Sequence, residues 1–463
     1  MDTLQTMPGA ETATESLASS SNVSPSGIAV PVGAPYTARS LRLRRANREE
    51  VIRVPARLEN LLPPDHPARR VWKTVEGLNL SEFYADIQVA AGTPGAPATD
   101  PLILVAVWVY ATSQGETEAR RVAVLCVEHL AYIWLCGGVS LNYHTLSDFR
   151  VAYGPALDRL LTQVVRGMAD EGFVSFEAHA QDGMRVRASA GAASFHRQAT
   201  LEKSLEQAQA QQVVEQSNVA ETQTQTAREQ AAQGRAARER VERLQAALVE
   251  LPTVQAAKPA DERGEARVSS TDPEARVMKM ADGGFRPAYN WEFVVDSLCR
   301  VITAVDVVNA GSDKAQTLPM IEQDHQRCGR LPDDWLMDGG FVTLRVIEAA
   351  APQVRVLAPV PEPKDETRDR YAPLPSDSPA VADWRQRMGT AEAKEMYKLR
   401  AATVECVNAH ARSRYGVYQV RVRGRAKVRC AALWVAITHN LLIWIRHQSP
   451  SPASSTETPR ASA

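Results

Sequence analysis

The 463-residue sequence predicts a mixed α/β fold: a mixed sheet flanked by helices, preceded by an all-α region and interrupted after its first strand by a long helical insertion. Three observations predict it. Apolar segments with helix start and stop signals fill residues 41–170, and β-branched runs alternate with helical ones from Ala275 onward. Between them, His196–Glu250 is proline-free and rich in Gln, Ala, Glu and Arg at helical spacing.

With 44% hydrophobic residues the chain can build more than one core. The formal charge of -1 and a pI near 6.8 do not mark the whole chain as nucleic-acid-binding, so local charge carries that question. Arginine is dense at Arg42–Arg57 and again at Arg412–Arg429. The six cysteines form no C-x-x-C pair, which argues against a zinc ribbon and for buried thiols in a reducing compartment. The N-terminus has no charged segment leading into an apolar run, so no secretory signal is expected, and the most apolar runs, Leu102–Ala111 and Ala431–Ile445, are too short or interrupted to span a bilayer.

Residues 1–40 and the tail from 448 to 463 are rich in Ser, Ala, Thr and Pro without periodicity and are expected to be disordered. In the 41–170 region, Asp100-Pro101 is a helix start, a capping carboxylate followed by proline at the first helical position. A second helix is expected over Glu116–Cys136, ended by Gly137-Gly138. A third starts near Thr145, with Thr145 or Ser147 as cap, and runs to Val165. Helix, glycine turn, helix is the pattern of a helix-turn-helix in a DNA major groove, and equally of a plain helical bundle.

Phe173–Arg187 is expected to be a strand carrying Asp182 at its exposed end. The 196–250 segment then has Leu201, Leu205 and Ala208, and later Val241, Leu244 and Leu248, at helical spacing. It reads as one long helix or a helical hairpin ended by Pro252, either an arm for dimerisation or DNA clamping or a solvated insertion. Strands are expected at Arg276–Met280, Ala288–Val295, Arg300–Asn309, Asp334–Met337 and Val354–Ala358, and helices at Ala315–Arg327 and Val342–Ala350. A helix starts near Ala380 and includes Ala391–Arg414, Tyr418–Arg429 alternates like a strand, and Ala431–Arg446 is an apolar helix. This order is compatible with a ribonuclease H-like core and by itself fixes no single fold.

Asp182 precedes Gly183 and Asp338 precedes Gly339, each near a strand end, while Glu405 sits at the edge of a helix face marked by Tyr397, Arg400, Val404 and Val407. Mg²⁺ takes oxygen ligands, usually one or two carboxylates with water and substrate phosphate. Two such ions about 4 Å apart can serve an in-line phosphoryl displacement. Asp-Gly is also a common turn pair, as at Asp282-Gly283, and Glu405 also reads as a helix-surface carboxylate. No phosphate loop, nucleophile elbow or H-E-x-x-H motif is present, and His439 on its apolar helix reads as a hydrogen-bonded core residue.

QDGMRVRASAGAASFHR at 181–197, WLMDGGF at 335–341 and YKLRAATVECVNAHAR at 397–412 together resemble, in order, the three motifs of DDE-type transposases of bacterial insertion sequences. Residues 57–150 resemble the N-terminal helical domain of that group, and His439-Asn440-Leu441 its C-terminal helix. The resemblance implies a ribonuclease H-like catalytic domain over 171–195 and 271–447, a helical DNA-binding domain over 41–170 and a helical insertion over 196–270. It implies that Asp182, Asp338 and Glu405 hold Mg²⁺ or Mn²⁺ as a pair of ions, and that cleavage at the element's ends releases 3′-hydroxyls that attack target DNA. Tyr397, Arg400 and Arg412 would contact phosphates, with Arg44, Arg45 and Arg48 adding further DNA contacts. The implied partner is double-stranded DNA, terminal repeats and target, bound by a homodimer in the bacterial cytoplasm at the nucleoid, with no membrane. Met184, Phe341 and Arg412 depart from the usual threonine, tyrosine and lysine. The first two departures leave open a DNA-binding protein that keeps the fold without catalysis.

Overall fold

The computed structural model describes residues 57–87, 97–218, 227–365 and 367–448. The segments expected to be disordered, 1–40 and 449–463, lie outside the described residues, as do Arg44, Arg45 and Arg48; Gln448 closes the last helix instead of opening a tail.

The helical region opens with α1 (Pro67–Glu76) and the short α2 (Ser81–Tyr84). In α3 (Pro101–Ser113) the Asp100 carboxylate accepts from the Leu102 N–H at 2.9 Å, the cap the sequence predicts. Residues 103–113 are all buried, so α3 is the centre of this region. The helix expected over Glu116–Cys136 is two helices, α4 (Ala119–Glu128) and α5 (Leu130–Cys136). His129 breaks them apart: its backbone is extended and its Nδ1 accepts from the Ala131 N–H at 3.2 Å, starting a new helix. Gly137, at φ +58°, ends α5 in the left-handed conformation. The next helix is capped by Asn142, not Thr145 or Ser147, and it too is divided, into α6 (Tyr143–Ala152) and α7 (Gly154–Asp170). Asn142 Oδ1 takes the Thr145 N–H at 2.9 Å, and Pro155 within the first turn of α7 has no N–H with which to continue α6.

The sheet begins with β1 (Ala178–Arg187). After it come β2 (Phe195–His196), then α8 (Gln198–Asn218) and α9 (Ala227–Ala256), then β3 (Val268–Ser269), which pairs antiparallel with β2 at the root of the insertion. The insertion is a helical hairpin with its own small core of Leu201, Ala208, Val241, Leu244, Ala247 and Leu251. Pro252 does not end it; α9 continues to Ala256.

Strands β4 (Arg276–Lys279), β5 (Phe285–Asp296) and β6 (Ile302–Val308) follow, then α10 (Thr317–Cys328), β7 (Asp334–Leu336), α11 (Leu344–Ala350) and β8 (Arg355–Leu357). β1 pairs antiparallel with β5 on one side and parallel with β7 on the other, and β8 runs parallel to β7. β6 and β4 lie end to end along the far edge of β5. The last part is helical: α12 (Pro379–Gly389), α13 (Ala391–Arg400), a π-turn over Ala401–Glu405, α14 (Cys406–Ser413) and α15 (Arg425–Gln448). The alternation at Tyr418–Arg429 forms no strand; it contributes one bridge, Gln419 to Arg187, and α15 begins at Arg425.

One apolar core runs from α1 and α3 through the sheet to α15. Among the described residues α15 is the one helix long and apolar enough to cross a membrane, and most of it is buried within the fold. It serves β6: Asn440 Oδ1 accepts from the Ile302 N–H and Nδ2 donates to the Ile302 carbonyl, both at 2.8 Å. His439 is indeed a core residue, its Nε2 2.9 Å from the Arg300 carbonyl and its Nδ1 3.1 Å from the Tyr415 hydroxyl. Buried Arg327 on α10 donates to Asp158 of α7 at 2.6 Å and to the Thr303 carbonyl of β6 at 3.1 Å, tying the helical region to the sheet.

Candidate active site

Strand register sets two of the three candidate carboxylates. Ala180 and Leu336 are the last paired residues of β1 and β7, and each strand places its aspartate two positions further on. Asp182 is therefore not at the end of β1, as the sequence suggested, but in its middle, where the pairing with β7 has stopped and one edge is open. Its other neighbour, Phe293 of β5, continues the sheet.

Gly183 and Gly340 each have a local reason, whereas a Cβ at Gly339, directly after Asp338, would meet nothing within 4 Å. A Cβ at Gly183 would come within 3.0 Å of the Asn290 side-chain amide and of Glu292 Oε1, which fill the space beside it. A Cβ at Gly340 would lie 2.8 Å from Asp338 Oδ1, because that carboxylate turns back to accept the Gly340 N–H. Neither position admits a side chain without moving a polar group.

The third carboxylate arrives on the α13–α14 rod. Val404 and Val407 bury one face of it, and Asn408, also on this rod, reaches Asp182 in the middle of β1. Asn408 Nδ2 donates to Asp182 Oδ2 at 2.9 Å. The π-turn at Ala401–Glu405 ends on the candidate carboxylate; such turns insert an extra residue into a helix and recur at functional sites. Thr403 Oγ1 donates to the Leu399 carbonyl at 2.8 Å and the Arg400 carbonyl at 3.0 Å, satisfying groups the widened turn frees.

Arg400 stands between two of the acids. Its Nη2 is 3.1 Å from Glu405 Oε1 and its Nη1 is 3.7 Å from Asp182 Oδ1. Burial pushes the Asp182 carboxyl up to about 6; Arg400 and the Gly183 N–H oppose the rise, and Asp338 and Glu405 add to it. Three carboxylates thus share one field. Burial works against the charge of Arg400, yet Asp182, Tyr397 and Glu405 outweigh it and strengthen its protonation. Tyr397 lies alongside, its hydroxyl raised chiefly by burial. Arg412, half-buried on α14, makes no ion pair among the described residues.

As a donor set, three carboxylates offer only oxygen, the chemistry Mg²⁺ and Mn²⁺ take. Among the described residues no three His, Cys, Asp or Glu side chains form a cluster able to hold a metal ion. The guanidinium of Arg400 occupies ground between Asp182 and Glu405 that a cation would take. Met184 and Phe341, the departures from the usual motif text, are both core side chains, each 1% exposed.

Sequence reasoning missed the polar group on the opposite face of β1. Asn290 Nδ2 donates to Glu292 Oε1 and Asp313 Oδ1, both at 2.6 Å, and Arg185 lies 3.9 Å from Asp313. Burial drives the Glu292 carboxyl well above its usual range, with Asp313 adding to the rise. The signal was available: Asn290 and Glu292 are polar at alternate positions of the otherwise apolar run Ala288–Val295, so they share a face that had to hold polar company. Asn408 had the signal of lying three residues after Glu405, one helical turn along the same face.

The fold is mixed α/β, with Asp182 at an open strand edge. Comparison with protein families goes further. Residues 56–152 match the family described as a transposase domain (DUF772), and residues 367–442 match that described as a transposase DDE domain. Together the two matched segments support a DDE-type transposase, a polynucleotidyl transferase, a family that implies a DNA substrate. Glu405, Tyr397, Arg400 and Arg412 fall within the second matched segment; Asp182 and Asp338 lie between the two. No curated protein and no solved structure matches the chain.

Proposed function

We propose that this transposase cuts the ends of its element and joins the freed 3′-hydroxyls to target DNA, using Asp182, Asp338 and Glu405 as the acidic centre of a ribonuclease H-like core. The observation that carries this reading is the convergence at Asp182: an open strand edge, Asp338 and Glu405 within one field, and Asn408 and Arg400 on its two oxygens. The sheet order β6-β5-β1-β7-β8, with β1 antiparallel to β5 and parallel to β7, supports the core assignment.

The three carboxylates would hold Mg²⁺ or Mn²⁺, as a pair of ions. Divalent cations bound there would acidify the attacking water or hydroxyl and neutralise charge on the leaving oxygen. The chain's own residues do the rest. Asn408 fixes the rotamer of Asp182, Tyr397 and Arg400 face the phosphate of the transferred strand, and the planar fork of Arg400 suits two phosphate oxygens at once. The helices before β1, with the Gly137-Gly138 turn between α5 and α6, are assigned to gripping the terminal repeat, and a homodimer to pairing two ends. The α8–α9 hairpin is assigned to the periphery of that complex.

The test is a cleavage assay on duplexes copied from the DNA flanking the reading frame, with Mg²⁺ or Mn²⁺ and each carboxylate changed in turn. Asp338→Ala is expected to bind the duplex and leave it intact. Cutting by Asp338→Ala at the parent rate overturns the assignment of the acidic centre.

A further inference from the structure

The disagreement between the donor set and the arrangement at Asp182 has a physical reading of its own. It rests on the proposed acidic centre and concerns what fills that centre before DNA arrives. Asn408 holds one Asp182 oxygen, so the other, Oδ1, is the one left for a cation, and Arg400 Nη1 is the cation beside it. The second guanidinium nitrogen sits on Glu405. Arg400 is largely buried, its side chain 13% exposed, yet Nη1 is shielded from solvent without a hydrogen-bond partner at hydrogen-bonding distance. A buried guanidinium with an unmade bond is a costly arrangement, and it is relieved by any acceptor that comes within reach. A DNA phosphate is such an acceptor, and it takes the guanidinium fork in a bidentate pair stronger than a 3.7 Å contact.

We infer that Arg400 is an internal counter-cation that excludes divalent metal from Asp182 and Glu405 in the DNA-free chain, and that a DNA phosphate admits the metal by drawing Arg400 away. Two cations cannot share Asp182 Oδ1 without strong repulsion at such range. Metal and DNA therefore bind with positive coupling, and by linkage the coupling is the same in both directions. The arrangement keeps the nuclease without its metal until a strand is seated, which guards a DNA-cutting protein against idle cleavage. The π-turn between Arg400 and Glu405 supplies the place where the rod can rewind as the pair separates.

The test reads metal binding directly on the full-length chain. Free Mn²⁺ is measured by electron paramagnetic resonance during titration of the parent, Arg400→Gln and Arg400→Lys, with melting curves to show that each variant is folded. Without DNA, Arg400→Gln is expected to bind Mn²⁺ at least about tenfold tighter than the parent, a shift of about 1.4 kcal/mol. Arg400→Lys, which keeps the charge, should stay near the parent. Adding Glu405→Gln to Arg400→Gln should remove the gain, which places it at this site. With a duplex copied from the flanking DNA, the parent should tighten toward the Arg400→Gln value. Equal Mn²⁺ affinity in the parent and Arg400→Gln, or a parent affinity unmoved by bound duplex, overturns the inference alone. Absence of Mn²⁺ binding in every variant, with and without DNA, overturns the acidic centre itself.

Discussion

Strand β1 carries two buried ionic groups three residues apart, and they differ in how the sheet closes around them. At His179 one buried imidazole stands between two carboxylates. Its Nδ1 is 3.1 Å from both oxygens of Asp324, and its Nε2 is 3.9 Å from Asp296. Asp296 in turn accepts from the Ser175 hydroxyl and N–H and from the N–H groups of Leu298 and Cys299, at 2.6–3.1 Å. At Asp182 three acids share one guanidinium, whose Nη1, like Nε2 of His179, lacks a hydrogen-bond partner, and the carboxyl is pushed up to about 6. The first group lies at the paired end of the strand, the second where β7 has stopped. Strand pairing closes the sheet edge beside His179, whereas the edge beside Asp182 is open and Asp338 and Glu405 disfavour its charge. The His179 group is a fastening; under the proposed function the Asp182 group is the one that meets substrate.

The largest effect that sharpens this contrast is on chemistry. Changing Asp182 or Asp338 to Asn, or Glu405 to Gln, should lower the rate of DNA-end cleavage at least a thousandfold. That factor is about 4 kcal/mol of barrier, of the order expected when charge stabilisation by a metal-holding centre is lost. Single-turnover cleavage of end duplex checks it. His179→Gln should cut normally whenever it is folded, and a specific defect in cutting by that folded variant would break the distinction.

The next effect is on folding. Truncating His179 to Ala leaves Asp324 and Asp296 buried without their cation and should cost about 3–5 kcal/mol, read by urea unfolding. The pH dependence has a definite sign. Burial alone would lower the His179 pKa, yet Asp324 and Asp296 outweigh it and raise it above the ordinary value of 6.5. The imidazolium therefore contributes its full stability below about pH 6.5, and that contribution fades as pH rises through the higher folded value. The parent's advantage over His179→Ala should shrink with alkalinity. An advantage that grows instead would mean His179 is buried neutral.

How much of this was legible in the sequence differs between the two groups. The order of strands and helices was readable because β5 and β6 are dense in β-branched residues and the helices have capped starts such as Asp100-Pro101. The breaks at His129 and Tyr153 were not, since each depends on a single residue leaving the helical conformation inside a helix-favouring composition. Asp182, Asp338 and Glu405 could be named because they sit in motif text. That Asp182 lies mid-strand could not, because exposure there is set by where β7 ends, a fact of pairing across about 150 residues of chain. Asn408 and Arg400 were visible as residues and invisible as partners of Asp182, and Glu292 and Asp313 meet only once β5 and the turn after β6 are in place. His179 and Asp324 likewise lie 145 residues apart, and nothing local to either announces the other.

A smaller effect runs the other way. Because the folded Asp182 carboxyl is raised to about 6 from an ordinary value of 3.8, its ionised form opposes folding. The cost is fully present above the folded value, absent below the unfolded one, and changes between them. Asp182→Asn keeps the shape without the charge. It should stabilise the metal-free protein by on the order of 2–3 kcal/mol at neutral pH, with the gain gone below about pH 4. Thermal melts of the two proteins across that range check it. A destabilised Asp182→Asn at neutral pH would put Asp182 in the same class as His179 and erase the contrast.

The smallest effect asks whether Asn408 holds the Asp182 carboxylate or merely packs. Its amide donates to Asp182 Oδ2 at 2.9 Å while its own Oδ1 is buried without a hydrogen-bond partner, so it spends one polar group to hold the carboxylate. Asn408→Ala alone mixes lost packing with a lost hydrogen bond. A double-mutant cycle with Asp182→Asn separates them, since packing on the α14 face is common to both backgrounds. The coupling should be about 1 kcal/mol in stability above pH 6 and should fade as Asp182 protonates, because a bond to a carboxylate is worth about twice one to a neutral acceptor. Zero coupling at every pH would leave Asn408 as filler. Arg400 would then be the one group that orients Asp182, and the carboxylate would be free to swing toward Glu405 once Arg400 departs.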